Sequence, residues 1–335
     1  MSSRHTNSIR LALSLGLTLF VVALAATASV RVRFTPKFIR GEVLRYRVES
    51  RTTTKGTTTT PIVNPEGGSQ STETIHMVVR LDAIGASPGG QVRFRATYEK
   101  SSAESESDAL DLAASSFADQ YDRLEGQSVE FTLQPTGEFT DFQNVGAAAP
   151  GRPTASQPAS GQSASEPALA LVQGLFLGGD IPQKGIVIGQ KWTSERPIPG
   201  AVLSSLISRA ESSYLRNESC GSSAEPKTSG TPSAAPADDC AVILTQFEIL
   251  RRGSTNSDAT PDDYRRNGLR TSGTWTGSGE SLDSISLATG LLVSSTRTST
   301  QNMDYQITSA STGSSIHHVG KVQSQSEITL LSGPP

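Results

Sequence analysis

The chain has 335 residues, 35% of them hydrophobic, and a formal net charge of −3 at pH 7. That charge gives no basic footprint for nucleic acid, while the apolar residues and 30 glycines suffice for a core with Ser/Thr-rich surface left over. A chain of this length fits about two domains, or one large all-β unit.

Residues 1–28 read as an export signal. Arg4 and Arg10 precede the apolar run Leu11 to Ala26, and Ala26-Thr27-Ala28 offers a small-x-small cleavage site, with Ala23-Leu24-Ala25 as the alternative. The other reading is an uncleaved anchor, for which the run is short against the ~20 residues of a spanning helix. No cysteine lies at the cleavage site, which argues against a lipid-anchored lipoprotein, and no later run reaches spanning length. The expectation is an exported chain, periplasmic or secreted, with no membrane span after signal removal. Residues 29–335 are expected to form a single antiparallel β domain.

In chain order, Glu42 to Thr54 alternates, with Leu44, Tyr46 and Val48 on one face and Arg45, Arg47, Glu49 and Arg51 on the other. Lys55 to Gln70 reads as a Thr/Pro/Gly loop. Thr74 to Leu81 and Gln91 to Lys100 repeat the alternation across a turn at Gly85 to Gly90, the second with Val92, Phe94, Ala96 and Tyr98 inward. From Ser107 to Leu124 the period changes: Leu110, Phe117, Tyr121 and Leu124 recur at helical spacing, with Ser107 or Asp108 able to cap the start. Gln127 to Phe142 then returns to strands around Thr136-Gly137.

Two low-complexity insertions, at about 146–166 and 221–239, are expected to be disordered. Between them, Ala168 to Leu177 (ALALVQGLFL) is apolar nearly all round, so a helix there needs cover on most sides. Ile181 to Trp192 reads as a strand, a Gly189 turn and an aromatic anchor. Ser205 to Ser219 and Cys240 to Leu250 read as strands flanking the second insertion. Cys220 and Cys240 bracket it, and in an oxidising compartment they should pair; closing that loop is worth roughly 3 kcal/mol in the chain-entropy model. Gly253 to Asn267 is a charged, turn-rich loop. Gly268 to Thr300 is a meander whose Thr289-Gly290 turn matches Thr136-Gly137, and Met303 to Ser309 and Ile316 to Leu331 finish the sheet.

These elements predict a mainly β fold with minor α: a large curved antiparallel sheet or half-barrel of ten or more strands with one or two packed helices. Gly41-Glu-Val-Leu-Arg-Tyr46, Pro182-x-x-x-x-Val187-x-Gly189-x-x-Trp192 and the Thr-Gly hairpins resemble a group of exported bacterial β-rich proteins of unknown function. The resemblance implies an envelope or secreted location and no established activity. The layout is also loosely similar to the half-barrels of periplasmic lipoprotein carriers and lipid-binding lipoproteins, a likeness of fold that transfers no site residues.

Chemistry-bearing motifs are weak. Gly85-Ala-Ser87-Pro-Gly89 matches G-x-S-x-G but lies between strands, without the helix that a nucleophile elbow requires. His317 and His318 are adjacent on a strand and point to opposite faces. Asp258, Asp262 and Asp263 crowd one loop without calcium-loop spacing. Arg45, Arg47, Arg80, Arg93 and Arg95 form either a basic stripe for anionic groups or a solvated face with partners such as Glu49 and Glu99. Trp192 and Trp275 read as core packing rather than cavity walls. No catalytic residue, metal site or cofactor is assigned. The leading reading is a non-enzymatic exported protein binding an apolar or lipid-like ligand against Leu169, Leu171, Leu175 and Phe176, with Phe94 and Tyr98 from the sheet. The alternative is a structural or interaction module of the bacterial cell envelope, meeting envelope components and no small molecule.

Overall fold

The computed structural model describes residues 31–34, 36–38, 40–60, 68–87, 89–108, 112–135, 137–145, 172–176, 181–182, 184–198, 200–220, 238–253 and 258–331. The signal segment, most of both insertions, and Leu169 and Leu171 lie outside them.

Eleven strands build one antiparallel sheet. In chain order they are β1 (Val43–Thr59), β2 (Ser69–Ala86), β3 (Val92–Ser107), β4 (Ser128–Leu133), β5 (Phe139–Val145), β6 (Lys191–Pro197), β7 (Leu206–Ser219), β8 (Asp239–Arg251), β9 (Leu269–Ser286), β10 (Leu292–Ser309) and β11 (Ser315–Leu330). In space the order is β5-β4-β3-β2-β1-β11-β10-β9-β8-β7-β6, so the first and last strands meet mid-sheet and the sheet is not closed. Among the described residues, its connections carry α1 (Leu112–Asp122) between β3 and β4, packed on β3, and α2 (Asp262–Arg266) between β8 and β9, besides the helical residues 172–174.

Alternation sorts the residues onto two faces. One transverse row of the apolar face runs Tyr214, Ile243, Asp283, Ser295, Ile328, Val48, Met77 and Ser101 across eight strands. Three hydrophobic clusters cover this face. The largest joins Tyr46, Val48, Met77, Val79, Phe94, Tyr98 and Phe131 to Tyr121 of α1 and to Val172 and Leu175. A second gathers Tyr214, Ile243 and Ile285 around Ile186. The third packs Leu203, Leu206 and Ile249 against Trp275 and Tyr305.

The polar face is wet and internally paired. Arg45 meets Glu99 at 2.9 Å and Arg80 meets Asp82 at 2.7 Å. Glu130, 8% exposed, is clamped between Arg93 at 2.7 Å and Arg95 at 2.6 Å. These arginines therefore have carboxylate partners along and across strands. His317 holds Asp304 at 2.8 Å, while His318 faces the other way, its ring 5.1 Å from Tyr305. Asp258 pairs with Arg265 and Arg270, Asp262 with Arg265 and Asp263 with Arg266.

Several boundaries differ from the sequence reading. Lys55 to Thr59 belong to β1 rather than a loop, because β11 pairs them one by one up to Thr59 opposite His317. β3 runs past Lys100 to Ser107, held by Ser71 to Met77 of β2. Asp108 accepts the Gln70 backbone N–H at 2.7 Å, closing that ladder. Residues 181–182 and 184–188 are not a strand: Ile186 makes a single bridge to Val32. Asp239 belongs to the sheet rather than the insertion, as the first residue of β8. The Cys220–Cys240 disulfide, with Cα atoms 4.9 Å apart, holds the β7–β8 end there, and the Cys220 N–H donates to the Asp238 carbonyl. Gly290, at φ +71°, and Gly137, at φ +83°, make the two related turns possible. Gly279 is required for another reason: a Cβ there would lie 2.5 Å from the Phe247 ring on the neighbouring strand.

Candidate functional site

Antiparallel pairing brings the start of β1, the β2–β3, β4–β5 and β9–β10 turns and the end of β11 to one end of the sheet. Residues 31–34, 36–38 and 40–41 cross this end as a strap. Val32 exchanges both backbone hydrogen bonds with Ile186 at 2.8 Å, and the Lys37 N–H donates to the Thr289 carbonyl in the β9–β10 turn at 2.8 Å. The strap is amphipathic. Phe34 and Phe38 are half-buried, packing on the second and first clusters, while Arg33 and Lys37 are exposed.

Under the strap lies a cavity of about 670 Å³. Tyr46, Val92, Leu133, Ile285 and Leu292 contribute from the sheet, Phe34 and Phe38 from the strap, and Leu175 and Phe176 from the short turn after the helical residues 172–174. Arg33, Lys37, Ser87, Gln91 and Gln134 supply its polar side chains apart from Tyr46. The polar groups whose contacts are defined are tied to neighbours. Gln91 donates to the Gln134 side chain at 2.8 Å, and the Lys37 ammonium donates to the Ala288 carbonyl at 2.9 Å. The Tyr46 hydroxyl donates to the Leu292 carbonyl at 3.0 Å. Burial, with the Glu42 charge as a smaller cause, pushes the Tyr46 hydroxyl well above its ordinary pKa, so it remains a donor.

An aromatic stack backs the wall. Phe38 meets Phe94 edge-on at 4.6 Å, and Phe176 lies 5.4 Å from Phe94, 5.5 Å from Phe139 and 5.9 Å from Phe131. Of the residues named from sequence, Leu175 and Phe176 therefore line the cavity. Phe94 sits one layer behind them, 1% exposed. Tyr98 lies farther along β3 in the core near Tyr121, its hydroxyl buried without a hydrogen-bond partner among the described residues. Trp192 packs on the second cluster, and Trp275 donates its indole N–H to Gln301 at 3.0 Å; neither lines the cavity. Ser87 does line it, in a turn flanked by β2 and β3. The strap residues were missed in sequence. Their signal is the alternation of Val32 and Phe34 with Arg31 and Arg33, too short to stand out.

One buried carboxyl lies elsewhere. Asp283, in the apolar-face row, accepts from Ser295 at 2.6 Å and from Ser281 at 3.1 Å. Burial raises its pKa above the ordinary aspartate value, and the two hydroxyls and the Arg297 charge offset part of the shift. Among the described residues, no group of three or more His, Cys, Asp or Glu side chains is placed to hold a metal ion. Among them, too, no helix is long and apolar enough to cross a membrane.

The polar face carries two further hollows, of about 750 and 710 Å³, over β1, β9, β10 and β11. Thr53, Gln323, Gln325, Thr298 and Ser278 wall the first, and Lys55, Thr57, Lys321, Asn302 and Thr276 the second.

No family model matches the chain, and no curated protein matches it. Two solved structures are similar to it: the outer membrane protein OprG from Pseudomonas aeruginosa, with a TM-score of 0.18, and Pseudomonas aeruginosa OpdQ, with a TM-score of 0.25. Each is 8% identical; the matches cover 88% and 87% of this chain and 100% of the other chains. At those scores neither likeness bears on the fold or the function of this chain.

Proposed function

We propose that the chain is an exported, non-enzymatic β-protein that takes an apolar, lipid-like ligand into the cavity beneath the strap. The cavity carries the reading. Its volume of about 670 Å³ falls within the roughly 300–1,000 Å³ of small-molecule sites, and apolar and aromatic side chains dominate its lining. Residues 1–28 and the Cys220–Cys240 disulfide support export, since such bridges persist in oxidising compartments. The lining supports a binding rather than a catalytic role: its described residues include no His, Cys, Asp or Glu.

The test is mass spectrometry of residues 29–335 purified from an oxidising compartment, native and after organic extraction. A stoichiometric apolar mass is expected, with affinity for a homologous ligand series rising about fourfold per added methylene until the cavity is full. A clean apo mass that takes up no added amphiphile overturns the reading. The second reading, an envelope scaffold or interaction module, is favoured by the polar-face hollows, whose Ser, Thr, Gln and Asn walls offer hydrogen bonds rather than apolar cover.

A further inference from the structure

The charges around the cavity are one-sided. The chain as a whole has more acids than bases, 32 against 29. Yet among the described residues lining the cavity only Arg33 and Lys37 are charged, and both are cations. Neither has an ion-pair partner among the described residues, whereas most arginines of the polar face do. Both are exposed, next to the half-buried Phe34 and Phe38 of the same strap. The Lys37 ammonium is steadied by one hydrogen bond to the Ala288 carbonyl, which leaves two of its three N–H donors for another acceptor. The Arg33 side chain runs beside Gly185, where a Cβ would lie 3.1 Å from the Arg33 Cγ, so its stem is packed while its head is solvated. The strap therefore places a cationic mouth directly against an apolar interior.

We infer that the cavity's ligand is an amphiphile with an anionic headgroup, a carboxylate or a phosphate, held at the mouth by Arg33 and Lys37 with its hydrocarbon chain against Phe34, Phe38, Leu175 and Phe176. The inference rests on reading the cavity as the ligand site. A neutral alcohol or ester of the same chain length gains the apolar contacts and can accept a hydrogen bond from one cation, but it forgoes the ion pair in which donor and acceptor are both charged. Because both cations are exposed, their contribution is screened by salt.

The experiment compares dodecanoate, dodecyl phosphate and dodecanol by calorimetry on the exported chain with its disulfide intact, alongside an Arg33→Gln/Lys37→Gln double variant. At low salt and neutral pH the two anions are expected to bind the wild type about tenfold more tightly than dodecanol. Raising the salt and introducing the double substitution should each close most of that gap, weakening the two anions far more than dodecanol. The ratio between the two anions separates a fatty-acid source from a phospholipid-like one. Dodecanol binding as tightly as the anions overturns the headgroup inference and leaves the apolar cavity reading intact. Binding of none of the three overturns the cavity reading itself. The double substitution removes the Lys37 hydrogen bond to the Ala288 carbonyl but no core contact, so the variant should still fold and melt cooperatively; a preference for anions that survives in a folded double variant also overturns the assignment.

Discussion

The Tyr46 hydroxyl of β1 reaches across β11 to the Leu292 carbonyl of β10, 3.0 Å away. The bond falls where β10 shifts register against β9, between Leu292 and Ser294. A bulge takes backbone groups out of the ladder, and a buried carbonyl there needs another donor. Tyr46→Phe keeps the ring in the first cluster and removes that donor. The expected loss is about 1–2 kcal/mol, read as a lower urea midpoint with an unchanged m-value. A variant as stable as the wild type would show that the Leu292 carbonyl finds water instead.

Asp283 sets a pH dependence with a definite sign. Its folded pKa is raised above its ordinary 3.8, so between those two values the folded state holds more protons than the unfolded state. Its contribution to stability is therefore greatest below that window and falls as pH rises through it. The groups facing it are Ser281, Ser295 and Arg297. Asp283→Asn removes the titration and leaves an acceptor for the hydroxyls. The variant should gain stability relative to the wild type as pH rises from acid to neutral. Parallel stability–pH curves would refute this.

Glu130 acts in the opposite direction. Its pKa is lowered first by the hydrogen bond from Arg95; burial, the next largest effect, opposes this, and the charges of Arg93 and Arg95 and the Arg93 hydrogen bond add to the lowering. Its stabilisation is complete above the ordinary carboxylate value of 4.5 and is lost as pH falls through the lowered one. With both guanidinium groups about half exposed, Glu130→Gln should cost only about 1–2 kcal/mol at neutral pH. Arg93→Ala should cost less, because Arg95 still pairs with Glu130. Melting of both variants at neutral pH checks that order.

The Cys220–Cys240 bridge joins residues 20 apart. Reducing it, or changing both residues to Ser, should lower stability by about 3 kcal/mol in the chain-entropy model. The β7–β8 end should then exchange its amide hydrogens first, since the Cys220 N–H to Asp238 bond lies beside the bridge. Uniform loss of protection across the sheet would contradict this.

Sequence periodicity was most informative where one face is dry and the other wet. Val92, Phe94, Ala96 and Tyr98 are buried as their alternation with Arg93 and Arg95 predicts, and the two Thr-Gly turns carry glycines at positive φ. The signal fades where both faces are polar. Lys55 to Thr59 and Ser101 to Ser107 are strands because long neighbours pair them, which no local pattern records. Asp283 was legible only as a strand residue: its burial depends on the two neighbouring strands, which set Ile243 and Ser295 on either side of it. The cavity was half legible. Leu175 and Phe176 stood out as apolar without a partner, whereas Arg33 and Lys37 gain meaning only when the strap crosses the sheet end.

The pairing of β1 with β11 sets Tyr46 opposite Leu330, so the end of the last strand lies beside the start of the first. The sheet is thus two runs of sequence neighbours, β1 to β5 and β6 to β11, sewn together along one seam between residues nearly the whole chain apart. Joining the end of β11 to the start of β1 and opening the chain between β5 and β6 would turn the same sheet into a plain up-and-down ribbon in which every contact between strands is local. The loop-closure entropy of the natural chain is concentrated at that single seam. Each run can zip from its own turns, and docking the two becomes the step that makes one molecule of them.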